Sequence, residues 1–542
     1  MLARPLRSAA RVAAIAAAVG GCHAPPSRPA PRAAASPAPA AVAAAPWEAR
    51  SSVAEGWEAP PPRARPVAIR GATLMLGTGR TVARGTIVLE QGRIAAVTEG
   101  DAPAPPDAEV IDGTGKFVTP GLVDTHSHLG VFPMPDAAAH EDGNEATDPL
   151  TAGAVVADAF WPEDPGLERA AAGGVTTIQV LPGSTNLVGG RASTVKLRPD
   201  LSARRMHARG APDGLKMACG ENPKRTYGKD KRAPMTRMGN LALARAAFLR
   251  ARKLEREWAR WREAEIDRLA GAARRLATFE GERAERARRD AWCRAEGEPA
   301  PCAEARARWA DRPLVPPDPG EPRPPPDRDP ATETLVAALQ GRVLVHVHCY
   351  RADDMLAMLA LADEVGLTIR SFHHALEAYK IRRELGARGV AVSTWADWWG
   401  FKMEALDGIP ENAGLVATAG GRAIIHSDSP EGVQRLNQEA GKALAAARHA
   451  GLAVTEEEAL RWITANPAWA LGIDARTGTL EVGKDADVVV WDRSPFSVYA
   501  KAERVFVEGA SVLAPGAAPW SDFELGRGAP ATAPPLVPGG AR

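Results

Sequence analysis

Seven of the eleven histidines in this 542-residue chain fall at the ends of four short apolar runs. They are His126 and His128 in FVTPGLVDTHSHLG, His346 and His348 in VLVHVHCY, His373 and His374 in LTIRSFHH, and His426 in AIIHSDSPE. Residues i and i+2 of a strand face the same way, so His126 and His128 can reach one ion, and neutral imidazole is the commonest metal ligand. A single such pair would be as well explained by two ordinary hydrogen-bonding histidines. Four run ends carrying histidine are not a random scatter, and they predict a fold that gathers strand ends around a metal site.

Such runs alternate with helical patterns. Strand candidates cover residues 122–125, 176–181, 214–218, 343–348, 367–372, 390–393 and 422–426, with 194–197 as the shortest. Helical patterns cover 352–365, 378–387 and 430–450. Buried strands separated by helices predict an α/β fold, and this many repeats predict a (β/α)8 TIM-type barrel over 117–470. Short β runs broken by glycine turns occupy 67–116, and a matching set, including GTLEVGKDADVVVWD, occupies 471–513. Neither set makes a stable sheet alone, so the two are expected to pair into one small composite β-sandwich. The interval 224–340 is too long for one barrel connection and reads as an insertion. Within it, Leu254, Trp258, Trp261, Ile266 and Leu269 recur at three or four, predicting an amphipathic helix or hairpin packed on the body, with its charges solvated. A Pro-rich loop follows, and Cys293 and Cys302 flank a turn that a disulfide could close.

A net charge of +1 excludes nucleic acid as the main partner. At the N-terminus, Arg4, Arg7 and Arg11 precede a short apolar core, and Val19-Gly20-Gly21-Cys22 resembles the lipobox of bacterial lipoproteins. Residues 1–22 are therefore expected to direct export to the periplasm or outer cell envelope, with a lipid on Cys22 as the membrane contact. Residues 23–66, rich in Pro and Ala, read as a linker, and 514–542 as a flexible tail. A homo-oligomer is compatible with all of this.

Catalytic side chains of such barrels sit at the C-terminal ends of the strands. There, LKMACGENPKR (215–225), HCYRADDM (348–355), FHHALEAYK (372–380), STWADWWGFK (393–402) and HSDSPEGVQRLNQEA (426–440) resemble the metal-dependent amidohydrolase superfamily, in its imidazolonepropionase and Xaa-Pro-dipeptidase-like branch, and within that a bacterial subgroup without an assigned substrate. The resemblance implies His126, His128, His348 and His374 as ligands of one or two divalent ions, Zn²⁺ first. It implies Asp428 as ligand and general base, and a carboxylated lysine bridging two metals. Lys216 is favoured for that role over Glu221 and Lys196.

By alternation His373 should point away from His374, while His346 and His426 lie deeper as core or supporting residues. Tyr350, Arg351, Trp395 and Trp398 are candidates to contact substrate, although Asp353 and Asp354 lie close enough to engage Arg351 instead. The cluster Trp395, Trp398 and Trp399 could stack on an apolar or cyclic substrate or equally pack on the insertion. Cys219 and Cys349 read as packing residues, and GSTNLVGGRAST (183–194) as a loop in the pocket wall. The expected reaction is hydrolysis of a carbon–nitrogen bond in a small cyclic amide or Xaa-Pro-type dipeptide. Deamination of a heterocycle, or a barrel retained for binding, are the alternatives.

Overall fold

The computed structural model describes residues 42–516 and Trp520. The expected signal with Cys22 and nearly all of the expected tail lie outside the described residues. Five strands come first: β1 (Val67–Met75), β2 (Thr81–Glu90), β3 (Arg93–Glu99), β4 (Glu109–Asp112) and β5 (Phe117–Pro120). Eight more form the barrel: β6 (Leu122–Ser127), β7 (Val175–Val180), β8 (Val188–Lys196), β9 (Gly214–Ala218), β10 (Leu344–Cys349), β11 (Ile369–His374), β12 (Ala391–Thr394) and β13 (Ala423–Ile425). The last three are β14 (Val488–Trp491), β15 (Ala502–Val507) and β16 (Ala510–Leu513).

The N- and C-terminal sets share one sheet in the order β16-β15-β14-β5-β1-β2-β3, with β4 also on β1. The join is antiparallel, Val490 opposite Val118. Alternate residues of both sets, among them Ile69, Leu74, Ile87, Val118, Val488, Val490 and Phe506, meet in one core.

The barrel strands follow one another from β6 to β13. Every residue of β6, β7 and β9 is buried, as strands covered on both faces require. One strand departs from the all-parallel expectation. β8 is antiparallel to both β7 and β9, and it grows out of the segment read from sequence as a pocket loop. Only residues 181–187 separate it from β7, and a parallel crossover needs a dozen residues or more, so the connection is a hairpin.

Among the described residues no ladder pairs β6 with β13. Low in the barrel their amides at Val123 and Ile425 take the carbonyls of Ile463 and Trp462. Higher up, Asp124 accepts from Ser427 N at 3.2 Å and from Ser427 Oγ, and Asp428 N donates to His126 O at 2.9 Å.

The described part of the expected linker, residues 42–66, packs on the body. Ala45, Trp47, Ser52, Ala54 and Ala59 are buried. Trp47 meets Trp258 edge-on at 5.7 Å, and Val53 N donates to Asp213. Scattered apolar residues are enough to pin a Pro/Ala-rich segment once partners exist on the body.

A helix runs from Arg237 to Ala295. Leu254 and Trp258 are buried on it, whereas Ile266 is 54% exposed, so the expected apolar stripe ends there. Residues 268–320 form a separate compact unit. In it a second helix, Ala300–Asp311, is tied back by the Cys293–Cys302 disulfide and by Arg306 bridging Asp290 and Glu298. The remaining unit, 42–267 with 321–516, holds the barrel. No helix among the described residues is long and apolar enough to cross a membrane.

Candidate metal centre

β6 delivers His126 and His128 on one face, as their spacing requires. Their Nε2 atoms stand 3.3 Å apart, and Asp428 Oδ1 lies 3.4 Å from the first and 3.2 Å from the second. Ligands about 2.0–2.2 Å from one ion stand roughly 3.3–3.5 Å from each other, so this spacing fits a shared cation. The Nδ1 of His128 bonds to Leu181 O at 2.8 Å, which leaves Nε2 bare. Lys216, on β9, puts Nζ 3.3 Å from His126 Nε2 and 3.1 Å from Pro182 O.

His348 and His374 come from the ends of β10 and β11, with ring centres 4.5 Å apart. His374 Nδ1 is 3.8 Å from Asp428 Oδ2. All ring nitrogens of His348 and His374, and Nδ1 of His426, are buried without a hydrogen-bond partner. Each such atom costs about 1–3 kcal/mol, and a cation would satisfy several at once. The residues present therefore fit a divalent ion. His126, His374 and His426 also each offer a nitrogen within 4.8 Å of the others, so His426 joins the candidate ligands rather than standing apart as a core residue.

Electrostatics agree with that fit. Burial, then Lys216 and the neighbouring rings, holds His126 well below the usual imidazole range, and burial does the same to His348, His373 and His374. His346 and His426 are brought to about 3 by burial first. All are neutral, as ligands must be. Burial pulls the Lys216 amine down to about 7, with Asp428 opposing.

Several expectations are corrected. Lys196 cannot serve the centre, because the reversal of β8 carries it to the opposite end of the barrel, opposite Thr177. There it bonds Asp487 and lies 3.6 Å from Asp485. Glu221 opens the helix Glu221–Gly228 and meets Arg225 at 3.5 Å instead of entering the barrel. His373 does not point away from the centre. By alternation it shares the inward face of Ser371 and places Nδ1 2.7 Å from His126 Nδ1, while positive φ values of 67° at His374 and 43° at Ala375 break the pleat beyond it, where His374 also meets the centre. Cys219 and Cys349, at the ends of β9 and β10, are disulfide-bonded with Cα atoms 5.3 Å apart. Neighbouring parallel strands in register brought them together, which spacing alone could not show.

At the mouth, Tyr350 stacks on His374 at 5.2 Å and is buried. Trp395 lies 4.4 Å from His374, donates Nε1 to Ser427 O at 3.0 Å, and stacks with Trp398 at 5.4 Å. Trp398 is 39% exposed. Arg351 is held by Asp353 through two bonds of 2.9 Å.

Sequence reading passed over two residues here. Lys402 sets Nζ 4.1 Å from the Tyr350 ring centre and 2.8 Å from Asn222 Oδ1. Asp124 bonds the His126 amide at 3.0 Å, and burial raises its carboxyl to about 7. Asp124 was findable, since it sits two residues before His126 on the same strand face.

The model of an amidohydrolase family matches residues 414–513. An amidohydrolase of Thermotoga maritima MSB8 is 31% identical, with a TM-score of 0.65, over 83% of this chain and 100% of that one. The chain belongs to the metal-dependent amidohydrolase superfamily. Members of this superfamily hydrolyse carbon–nitrogen bonds. Amidohydrolase tasK of Hapsidospora irregularis is 34% identical over 446 residues, 79% of this chain and 40% of that protein, so the amidohydrolase described here spans less than half of that relative. An imidazolonepropionase of Idiomarina loihiensis is 53% identical over 45 residues, 8% of this chain and 11% of that one.

Proposed function

We propose that this amidohydrolase cleaves an amide bond in a small substrate at the His126–His128–Asp428 centre, with Asp428 as general base and then general acid. The observation that carries the reading is the spacing of His126, His128 and Asp428, 3.2–3.4 Å between donor atoms at the strand ends. His126, His128, His348 and His374 would hold one or two divalent ions, Zn²⁺ before others, with His426 as a further donor. When bound, such an ion supplies Lewis acidity that eases deprotonation of water and polarises a carbonyl.

The chain supplies the proton traffic. Asp428 has a positive φ of 51° and is fixed through its amide to His126 O, so its carboxylate turns toward both imidazoles. Its side chain remains 23% exposed, which lets it meet a substrate as well. It takes the proton of the attacking water and returns it to the leaving nitrogen. Lys216 has an amine pulled down to about 7, so a large neutral fraction exists near neutrality to add carbon dioxide. The resulting carbamate would give an anionic ligand between two metals.

Tyr350, Trp395 and Trp398 form an aromatic wall, which supports an apolar or cyclic group on the substrate, as in a cyclic amide or a Xaa-Pro-type dipeptide. The pairing of Arg351 with Asp353 argues against it as the substrate's anchor. Two disulfides support the export reading of the N-terminus, since they persist in oxidising compartments.

The test is metal analysis after Zn²⁺ reconstitution, followed by a screen of cyclic amides and Xaa-Pro dipeptides, with ammonia release scored separately. Bound metal with amide hydrolysis is expected. A protein that binds no metal, or a loaded one that releases only ammonia from heterocycles, would overturn the reading.

A further inference from the structure

The loop that follows β12 carries five large apolar side chains, Trp398, Trp399, Phe401, Met403 and Leu406, each more than a third exposed. One such residue on a surface is ordinary, but several on one short stretch mark a binding surface. The loop is held in this shape rather than left slack. Asp397 pairs with Lys442 at 2.8 Å and Asp407 with Lys380 at 2.7 Å. Lys402 bonds Asn222 at 2.8 Å and sits over the Tyr350 ring, Glu404 pairs with Arg237, and Gly400 N donates to Ala405 O at 2.7 Å.

The exposed rings continue inward to the candidate centre. Trp395, itself buried, lies 4.4 Å from the His374 ring and stacks with Trp398 at 5.4 Å. Phe401, 57% exposed, meets Trp395 at 5.9 Å and the buried Tyr350 at 6.2 Å. These spacings are those of aromatic pairs in contact. Burial is therefore nearly complete at the ring beside the metal ligands and is lost step by step toward solvent. The result is an apolar track with its inner end at the reacting site and its outer end open.

Charge narrows what can lie on the track. All four charged residues of the loop, Asp397, Lys402, Glu404 and Asp407, have opposite charges within 4 Å. Nothing is left over to draw an anionic lipid surface or an acidic partner, and continuity with the centre favours the substrate itself.

We propose that these rings carry an apolar tail of the substrate, so that the amide cleaved here bears an extended alkyl or aryl substituent leaving the mouth along Trp395, Trp398 and Phe401. The inference rests on the reading of the centre as an amide-cleaving site and deepens it. A closed pocket would meter a small group, whereas a track that ends in solvent favours length.

The Zn²⁺-loaded protein is assayed with N-acylprolines from acetyl to octanoyl, and with N-acetylalkylamines from methyl to heptyl, so that a tail on either side of the scissile bond is read. Binding of n-alkanamides of the same lengths is followed separately by tryptophan fluorescence. In one series kcat/KM should rise about twofold per methylene, half the free energy of full burial, because the track covers one side of a chain. Alkanamide affinity should rise in parallel. Trp398→Ala and Phe401→Ser, both at exposed positions, should each cost the longest substrate about fivefold more than the shortest, and Trp398→Phe should keep most of the slope.

Flat responses in both series and in binding, or a slope that neither variant changes, would overturn the track. So would self-association, or binding to phosphatidylcholine vesicles, that is lost in Trp398→Ala while chain length has no effect. Those results would give the surface to a second copy or to a lipid surface. Length-dependent alkanamide binding without turnover of any amide would instead overturn the cleavage reading and leave the track in place.

Discussion

Lys196 and Lys216 stand on adjacent strands of one barrel, both at 2% exposure or less, and they have opposite fates. At the lower end, burial pulls Lys196 down, but Asp487 and Asp485 outweigh it, and its ammonium is held above the usual lysine range. Asp487 is itself braced by Thr477 Oγ1 at 2.7 Å and the Glu508 amide at 3.0 Å. At the upper end, Lys216 contacts a carbonyl and an imidazole but no carboxylate, and burial takes it to about 7. Burial is shared, so the partners decide. Where a buried charge is answered by opposite charges, the chain is making structure. Where several buried polar groups are left unanswered, it is poised for something it does not itself contain.

That contrast can be broken in four places. The largest effect belongs to Asp428→Asn, which keeps the shape of the site but loses the base. Turnover should fall about 10³–10⁴-fold while the denaturation midpoint stays near the parent's. Steady-state kinetics beside a urea curve would show it, and retained turnover in a metal-loaded variant would sink the proposed role.

Next comes Lys196→Met, which strands Asp487 in the interior. Chemical denaturation should show a loss of about 3–5 kcal/mol, and Zn²⁺ per folded chain should be unchanged. A loss of metal at constant stability would mean that the two lysines had been assigned the wrong way round.

The third is a pH slope. The folded value for Lys216 is about 7 against 10.5 for the free side chain, so the unfolded chain holds the extra proton between them. Stability of the metal-free protein should therefore climb as pH rises from about 7 to 10.5, by up to about 1.4 kcal/mol per unit. Lys216→Met should flatten that slope. Lys196 runs the other way: its contribution is present below 10.5 and is lost as pH rises through its higher folded value. The smallest effect is expected of Arg351→Ala. Its exposed pair with Asp353 should be worth under about 1 kcal/mol, and kcat/KM should change less than threefold.

How much of this the sequence disclosed follows the same division. The barrel and the gathering of histidines at its strand ends were legible, because strand periodicity and strand ends are local properties, and the resemblance to the superfamily pointed to His126, His128, His348, His374, Lys216 and Asp428. The pairing of the two terminal sheet segments was legible because neither could stand alone.

What stayed hidden depended on contacts between distant parts. The reversal of β8 turned on a seven-residue connection inside a glycine-rich stretch. It moved Lys196 from candidate ligand to structural ion pair. That His373 and His374 both face the centre goes with positive φ values at His374 and Ala375 that no periodicity records. The Cys219–Cys349 link needed the strand register, and the anchoring of residues 45–59 needed surfaces that only the folded body provides.

The seam between β6 and β13 has a mechanical consequence. A closed hoop is as strong as its clasp, and here the clasp is made by Asp124, His126, Ser427 and Asp428. Two of the residues that fasten the hoop, His126 and Asp428, are also residues proposed to hold the metal. Any breathing of the seam would therefore loosen the ligand cage in the same movement, and a bound ion would act as a rivet through the joint. Rigidity and chemistry cannot be tuned separately at such a place.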